Sequence, residues 1–229
     1  MRNGLEADSA ATPAPPRSGL NKKQLSRERS VEIILRSALT VLVRKGYRNT
    51  TIEHIAEASG MTKGAIYHYY DSKEDLLMAV LDMVERDVII EEEPSSADVK
   101  QAVGQLAAFI NSQGARALER ADSYLFLVTL AGDLSNIGET VGNKVDFIMN
   151  RLGNTFERIV LTAQKAGHFS RRVTASDLTR LWVSSFSGNV LVWHRSGRQN
   201  DIGRSLVRAL RITCLSALTL DERALRRHR

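Results

Sequence analysis

The 229 residues carry 32 Lys+Arg against 26 Asp+Glu, a formal charge of +6, with 43% hydrophobic residues and a single cysteine. A chain of this length can bury a substantial core in one or two modest domains. One cysteine excludes an intrachain disulfide framework and any multi-cysteine zinc site. No apolar run reaches the ~18–20 residues that span a membrane.

The charge is uneven. Residues 1–73 hold 12 Lys+Arg against 7 Asp+Glu, and the remainder holds 20 against 19. A basic front and a near-neutral back fit a nucleic-acid module joined to a module with another task, although the surplus alone is equally compatible with plain solubility. The N-terminus lacks the apolar core of a secretory signal, so the expected compartment is cytoplasmic.

Residues 1–25 are poor in large apolar side chains and hold Pro13, Pro15 and Pro16. Such a composition cannot offset ordering entropy and predicts a disordered tail. Lys22, Lys23, Arg27 and Arg29 follow, either as a basic arm on DNA or as a solvated helix start.

Val31, Ile34, Leu35, Ala38, Leu39, Leu42 and Val43 then keep the spacing of an amphipathic helix that ends before Gly46. Thr50 with Glu53 predicts a capping box at the start of a second helix. Ser59-Gly60-Met61 forms a turn, and Thr62 to Tyr70 is compact, basic at its start and aromatic at its end. Ser72 with Asp75 caps a fourth helix, whose apolar face runs from Leu76 to Val88 and which stops near Pro94. Further helices are predicted at 97–120, 121–134, 139–166, 175–195 and 202–222. Strand-type alternation is nowhere sustained, so the expected fold is all-α.

Two short helices joined by a tight turn, the second one basic and compact, have the design of a helix-turn-helix. The run Gly46-Tyr47-x-x-Thr50-Thr51, Ile55-Ala56, Ala58-Ser59-Gly60, Thr62-Lys63-Gly64-x-Ile66-Tyr67-His68-Tyr69-Tyr70 and Lys73-x-x-Leu76 resembles the N-terminal domain of TetR-family transcriptional regulators. The likeness covers roughly residues 27–80. It implies a tail over 1–25, an N-terminal three-helix DNA-binding domain over 26–80, and a C-terminal helical regulatory and dimerisation domain over 81–229.

The chemistry at the matching positions is coherent. Thr62 begins the recognition helix, where its hydroxyl can meet a phosphate, and Lys63 adds a cation for phosphate or guanine acceptors. Gly64 and Ala65 allow close approach to the bases, and the Ala65 methyl suits a thymine methyl. Tyr67 and His68 can donate to phosphates or base edges, Lys73 can clamp the backbone from the next helix, and Thr51 is a further phosphate candidate. Tyr69 belongs to the same set, half-buried, while Ile66 and Tyr70 read as core and His54 as a solvated residue.

The resemblance implies a homodimer on a palindromic operator of double-stranded DNA, because one recognition helix reads only a half-site. In the helix at 175–195, Leu178, Leu181, Trp182 and Ser185 read as one face and Val183, Phe186, Val190 and Trp193 as another. That pattern, with Ile202, Leu206, Leu210, Thr213 and Ala217 in the last helix, makes 175–195 and 202–222 the candidate dimer helices. Burial of both faces inside one chain is the alternative.

A small-molecule effector is likewise implied by the family. Phe109, Tyr124, Phe126, Phe147, Met149 and Phe156 are candidate pocket lining or ordinary core, without a pattern that selects a ligand. Leu181 to Gly197, with Trp193-His194-Arg195, resembles regulators that respond to acyl-CoA thioesters. No cofactor or metal is implied. There is no P-loop, G-x-G-x-x-G, H-E-x-x-H or G-x-S-x-G pattern, so the chain does not read as an enzyme. The other open reading is an architectural DNA binder without sequence preference or switch.

Overall fold

The computed structural model describes residues 22–95, 97–133 and 138–219, and all the regular structure among them is helical. The elements are α1 (Lys22–Asn49), α2 (Ile52–Ser59), α3 (Lys63–Tyr67), α4 (Lys73–Val88), α5 (Val99–Glu119), α6 (Ala121–Ala131), α7 (Glu139–Lys165), α8 (Ala175–Arg195) and α9 (Asn200–Thr219). Helix α1 begins inside the segment expected to be disordered, since Lys22, Gln24 and Leu25 are good helix formers. The rest of the expected tail, residues 1–21, lies outside the described residues. Positive φ at Gly46, +74°, breaks the helix where the periodicity ends, a conformation that costs glycine little.

Helix α4 ends earlier than expected. Ile89 turns extended after Val88, well before Pro94. Residues 89–93 then run as a strap along the bundle. Thr155 donates to the Ile90 carbonyl at 3.0 Å, Gln105 to the Glu93 carbonyl at 2.8 Å, and Arg158 pairs with the Glu93 carboxylate at 2.6 Å. These partners satisfy strap backbone and side-chain groups that a longer helix would have satisfied internally.

The buried apolar side chains form one cluster from Ile34 in α1 to Leu218 in α9. At its centre Trp182 stacks between Phe156, with ring centroids 5.0 Å apart, and Phe186 at 5.4 Å, while Phe109 tilts against it at 5.6 Å. Such aromatic packing carries large apolar area and favourable ring geometry together. The two faces expected for α8 resolve differently: Leu178, Trp182, Phe186, Val190 and Trp193 all lie on one buried stripe. Their spacings of three and four residues keep them on one side of a helix. Leu181, Leu191 and Val192 point the other way and are exposed. Phe147 is not pocket lining either, being half exposed beneath Lys144 and Arg151.

Charged groups tie α1 and α4 to the rest of the bundle. The Arg36 guanidinium reaches Asp87 at 2.6 Å, and Ser123 of α6 donates to the same carboxylate at 2.6 Å. Lys144 of α7 joins Asp82 and Glu85 of α4 at 2.6 and 2.7 Å, and Arg151 also pairs with Glu85. The division expected at residues 80 and 81 falls inside α4, which packs on α1 as well as on α5, α6 and α7.

Candidate nucleic-acid interface

Local capping builds the turn. Thr51, not Thr50, caps α2: its hydroxyl accepts from the His54 N–H at 3.3 Å, and His54 Nδ1 accepts from the Thr51 N–H at 3.3 Å. Thr50 instead turns inward, 1% exposed, and donates to the Gly46 carbonyl at 2.7 Å. His54 is therefore a half-buried cap rather than a solvated side chain, and its Nε2 lies 3.2 Å from Lys45 Nζ. The expected pairing with Glu53 fails because the helix starts one residue later than the Thr50 pattern places it.

Gly60 closes α2 in the left-handed region, φ +69°. The Met61 N–H reaches the Ala56 carbonyl and the Gly60 N–H the Glu57 carbonyl, a Schellman stop that satisfies the last carbonyls of the helix. The Thr62 hydroxyl then accepts from the Ala65 N–H at 3.1 Å and starts α3. Ile66, wholly buried, anchors α3 on the core. Tyr69 and Tyr70 are half-buried behind it, and burial raises the Tyr70 phenol above its usual range.

The opposite side of α3 is open. Thr62, Lys63, Gly64, Tyr67 and His68 are exposed together, with Ala65 partly so and Thr51 exposed at the head of α2. Gly64 is telling. A Cβ added there would find only Thr62 Oγ1, at 4.0 Å, so the protein's own packing does not require a glycine. Glycine inside a helix costs roughly 0.5–1 kcal/mol relative to alanine. The backbone at Gly64 therefore lies open to approach from outside.

Two features of this face could not be read from the sequence. Lys63 forms an ion pair with Glu53 across the turn, and its ammonium sits 5.8 Å from the Tyr67 ring centroid. The hydrogen bond from Lys63 lowers the Glu53 carboxyl to about 2 and Glu53 in turn raises the lysine. Lys73 is partly withdrawn: it donates to the Tyr47 carbonyl and lies 4.2 Å from the Tyr47 ring centroid, and desolvation lowers its pKa. It locks α4 to the end of α1. One lysine donor is used there, so a phosphate contact would fall to the remaining N–H groups.

A three-helix unit presenting a short, polar, bare-centred helix beside a tight turn defines a helix-turn-helix DNA-binding regulator. Residues 34–80 match the family model of bacterial regulatory proteins, tetR family. Residues 34–80 thus carry the DNA-binding domain of TetR-family transcriptional regulators. The chain is 34% identical over 67 residues to the HTH-type transcriptional repressor KstR2 of Rhodococcus jostii, covering 29% of this chain and 31% of that one. Several curated relatives matching at 34–40% identity are spanned over only 17–31% of their own length. Among solved structures, the MbdR regulator from Azoarcus sp. CIB superposes with TM-score 0.69 at 26% identity, over 83% of this chain and all of that one. FadR from Bacillus subtilis, solved with stearoyl-CoA, shares the fold with TM-score 0.61 at 18% identity, over 82% and 98% of the two chains. These relatives are transcriptional regulators, not enzymes, and no described helix is long and apolar enough to cross a membrane.

Proposed function

We propose that the protein is a dimeric repressor that sits on a palindromic operator and leaves it when a small molecule binds. The observation that carries the DNA-reading part is the exposed face of α3, with Lys63, Tyr67 and His68 around a glycine its own fold does not need. Lys63 and Tyr67 reach base edges and phosphates, Thr51 and Thr62 hydroxyls meet phosphates, Ala65 meets a thymine methyl, and Tyr69 and Lys73 support the edge of the contact. The 26–80 segment acts as the reader and 81–229 as the regulatory part, coupled through α4.

The outer sides of α8 and α9 form the dimer face in this reading. Leu181, Leu191 and Val192 on α8, with Ser184 and Gly188 between them, and Ile212 on α9 are exposed apolar or small residues on two adjacent helices. Such a patch fits an isologous contact between copies. Two α3 helices then meet half-sites about 34–36 Å apart, or a multiple of that.

The effector acts by preferring one dimer geometry. A few kcal/mol of preference suffices to change operator occupancy, and about 5.5 kcal/mol would carry it from 99:1 to 1:99. Acyl-CoA thioesters are the effector class we favour, supported by the stearoyl-CoA complex of the similarly folded FadR. The test is footprinting on DNA upstream of the gene, with and without palmitoyl-CoA. Two protected half-sites that open on addition of the thioester support the reading. A single protected stretch without two-fold spacing would overturn the dimeric operator.

A further inference from the structure

Helix α2 starts on a reciprocal cap whose second member is a histidine. In the common capping box the residue three places after the N-cap is Glu or Gln, whose oxygen reaches back to the N-cap N–H. Here that residue is His54 and the acceptor is a ring nitrogen. Nδ1 takes the Thr51 N–H at 3.3 Å, while the Thr51 hydroxyl takes the His54 N–H at 3.3 Å. The other ring nitrogen, Nε2, lies 3.2 Å from the Lys45 ammonium near the end of α1.

Two donors thus converge on one ring. A neutral imidazole has a single nitrogen free to accept, whichever tautomer it adopts, and an imidazolium has none. The ring holds the Thr51 N–H only by presenting its own N–H toward Lys45, so it has no acceptor to spare. Proton uptake removes that last acceptor and sets two cations 3.2 Å apart, and the ring then has to leave the cap. The other charged or titratable groups on the helices packed here are Arg44 and Arg48 of α1, Glu53 and Glu57 of α2, and Lys63 of α3, with His68 just after it. Arg48 pairs with Asp133 and Glu53 with Lys63.

The ring is aimed to act through Thr51 rather than on DNA. Glu53 reaches across the turn to α3, whereas His54 reaches back to α1. Thr51 is exposed at the head of α2, and because its oxygen accepts from the His54 N–H, its hydroxyl proton is free for a phosphate. We infer that His54 is a positioning residue for DNA reading: its neutral ring locks Thr51 and the first turn of α2, and proton uptake releases them, so operator affinity falls toward acid. The inference rests on the DNA-reading proposal above and adds a pH dependence to it. Histidine side chains change charge between about pH 5 and 8, whereas glutamine at the same place keeps an acceptor throughout.

The test compares full-length wild type, His54→Gln and His54→Ala by fluorescence anisotropy on labelled duplex from upstream of the gene, at about pH 8 and about pH 5.5. Wild type and the glutamine variant should bind alike at the higher pH. At the lower pH the wild type should bind about fivefold more weakly than the glutamine variant, the ratio that one helix cap is worth. Both proteins keep His68, so a proton on the α3 face cancels from the comparison. His54→Ala should bind more weakly than His54→Gln by the same factor at both pH values. In the free protein, magnetic resonance of isotope-labelled threonine should show the Thr51 amide shifting over this range in the wild type and not in His54→Gln. A ratio of wild type to glutamine variant that ignores pH, or that moves in favour of the wild type toward acid, would overturn the inference, as would a Thr51 amide that does not titrate. Loss of sequence preference in all three proteins at both pH values would instead refute the DNA-reading proposal, with the amide signal still deciding the cap.

Discussion

Replacing Asp87 with asparagine should loosen the joint between the reader and the rest of the bundle. The carboxylate is only 7% exposed and takes hydrogen bonds from Arg36 and Ser123, both at 2.6 Å, with Arg120 at 3.9 Å. Asparagine keeps the shape and removes the charge. Removing one partner of a fully buried ion pair costs about 3–5 kcal/mol. Arg36 retains solvent contact and a second partner in Glu32 at 2.8 Å, so the lower range for charged hydrogen bonds, about 1.5–3 kcal/mol, applies. For a chain of this size that is roughly 3–12 °C in Tm, at about 2–4 °C per kcal/mol.

The effect has a pH signature. Burial by itself would raise the Asp87 carboxyl, but the hydrogen bonds from Arg36 and Ser123, with the charges of Arg36 and Arg120, outweigh it and hold the group below its usual range. A depressed folded pKa gives stability that is complete above the unfolded value, about 3.9, and is lost as pH falls through the folded value. The difference between wild type and Asp87→Asn should therefore be constant at neutral pH and shrink below about pH 4. Urea unfolding followed by circular dichroism measures it, and a cycle with Arg36→Ala isolates the pair. A loss under about 0.5 kcal/mol, the size of an ordinary surface change, would refute the joint.

Other outcomes follow from the same geometry. Glu53→Gln frees Lys63 and removes an anion beside α3, so operator affinity should rise about three- to tenfold at low salt, and the salt slope should steepen by about one, in fluorescence titrations. Ile212→Glu places a charge on the proposed dimer face and should shift sedimentation toward the monomer while leaving the helical spectrum unchanged. Gly114→Ala drives a methyl into the Val207 side chain where α5 meets α9, and thermal unfolding should register a loss of about 1–3 kcal/mol.

Much of the fold was legible because apolar spacing is local. The stripes on α1, α4 and α7 and the bounds of α8 follow from side-chain periodicity alone. The cap of α2 was misplaced by one residue because Thr50 and Thr51 are chemically alike, and only the break at Gly46 decides which hydroxyl faces inward. The end of α4 was missed since nothing at Ile89 breaks a helix; the strap is fixed by Thr155, Gln105 and Arg158, more than ten residues away in each case. The α3 face was readable as a motif. Its electrostatics were not, because Glu53–Lys63 and Tyr47–Lys73 meet only through the turn and the bundle.

Sequence-specific reading of DNA by α3 is what the proposed regulator depends on. Fluorescence anisotropy of the full chain on labelled duplex from upstream of its own gene, with random duplex in excess, tests it most directly. A specific reader should favour operator over random duplex by roughly 10³-fold or more and lose that affinity sharply when Lys63→Ala and Tyr67→Phe are combined. Equal competition by random duplex, with affinity indifferent to those two changes, would contradict it and favour an architectural binder that contacts only the phosphate backbone.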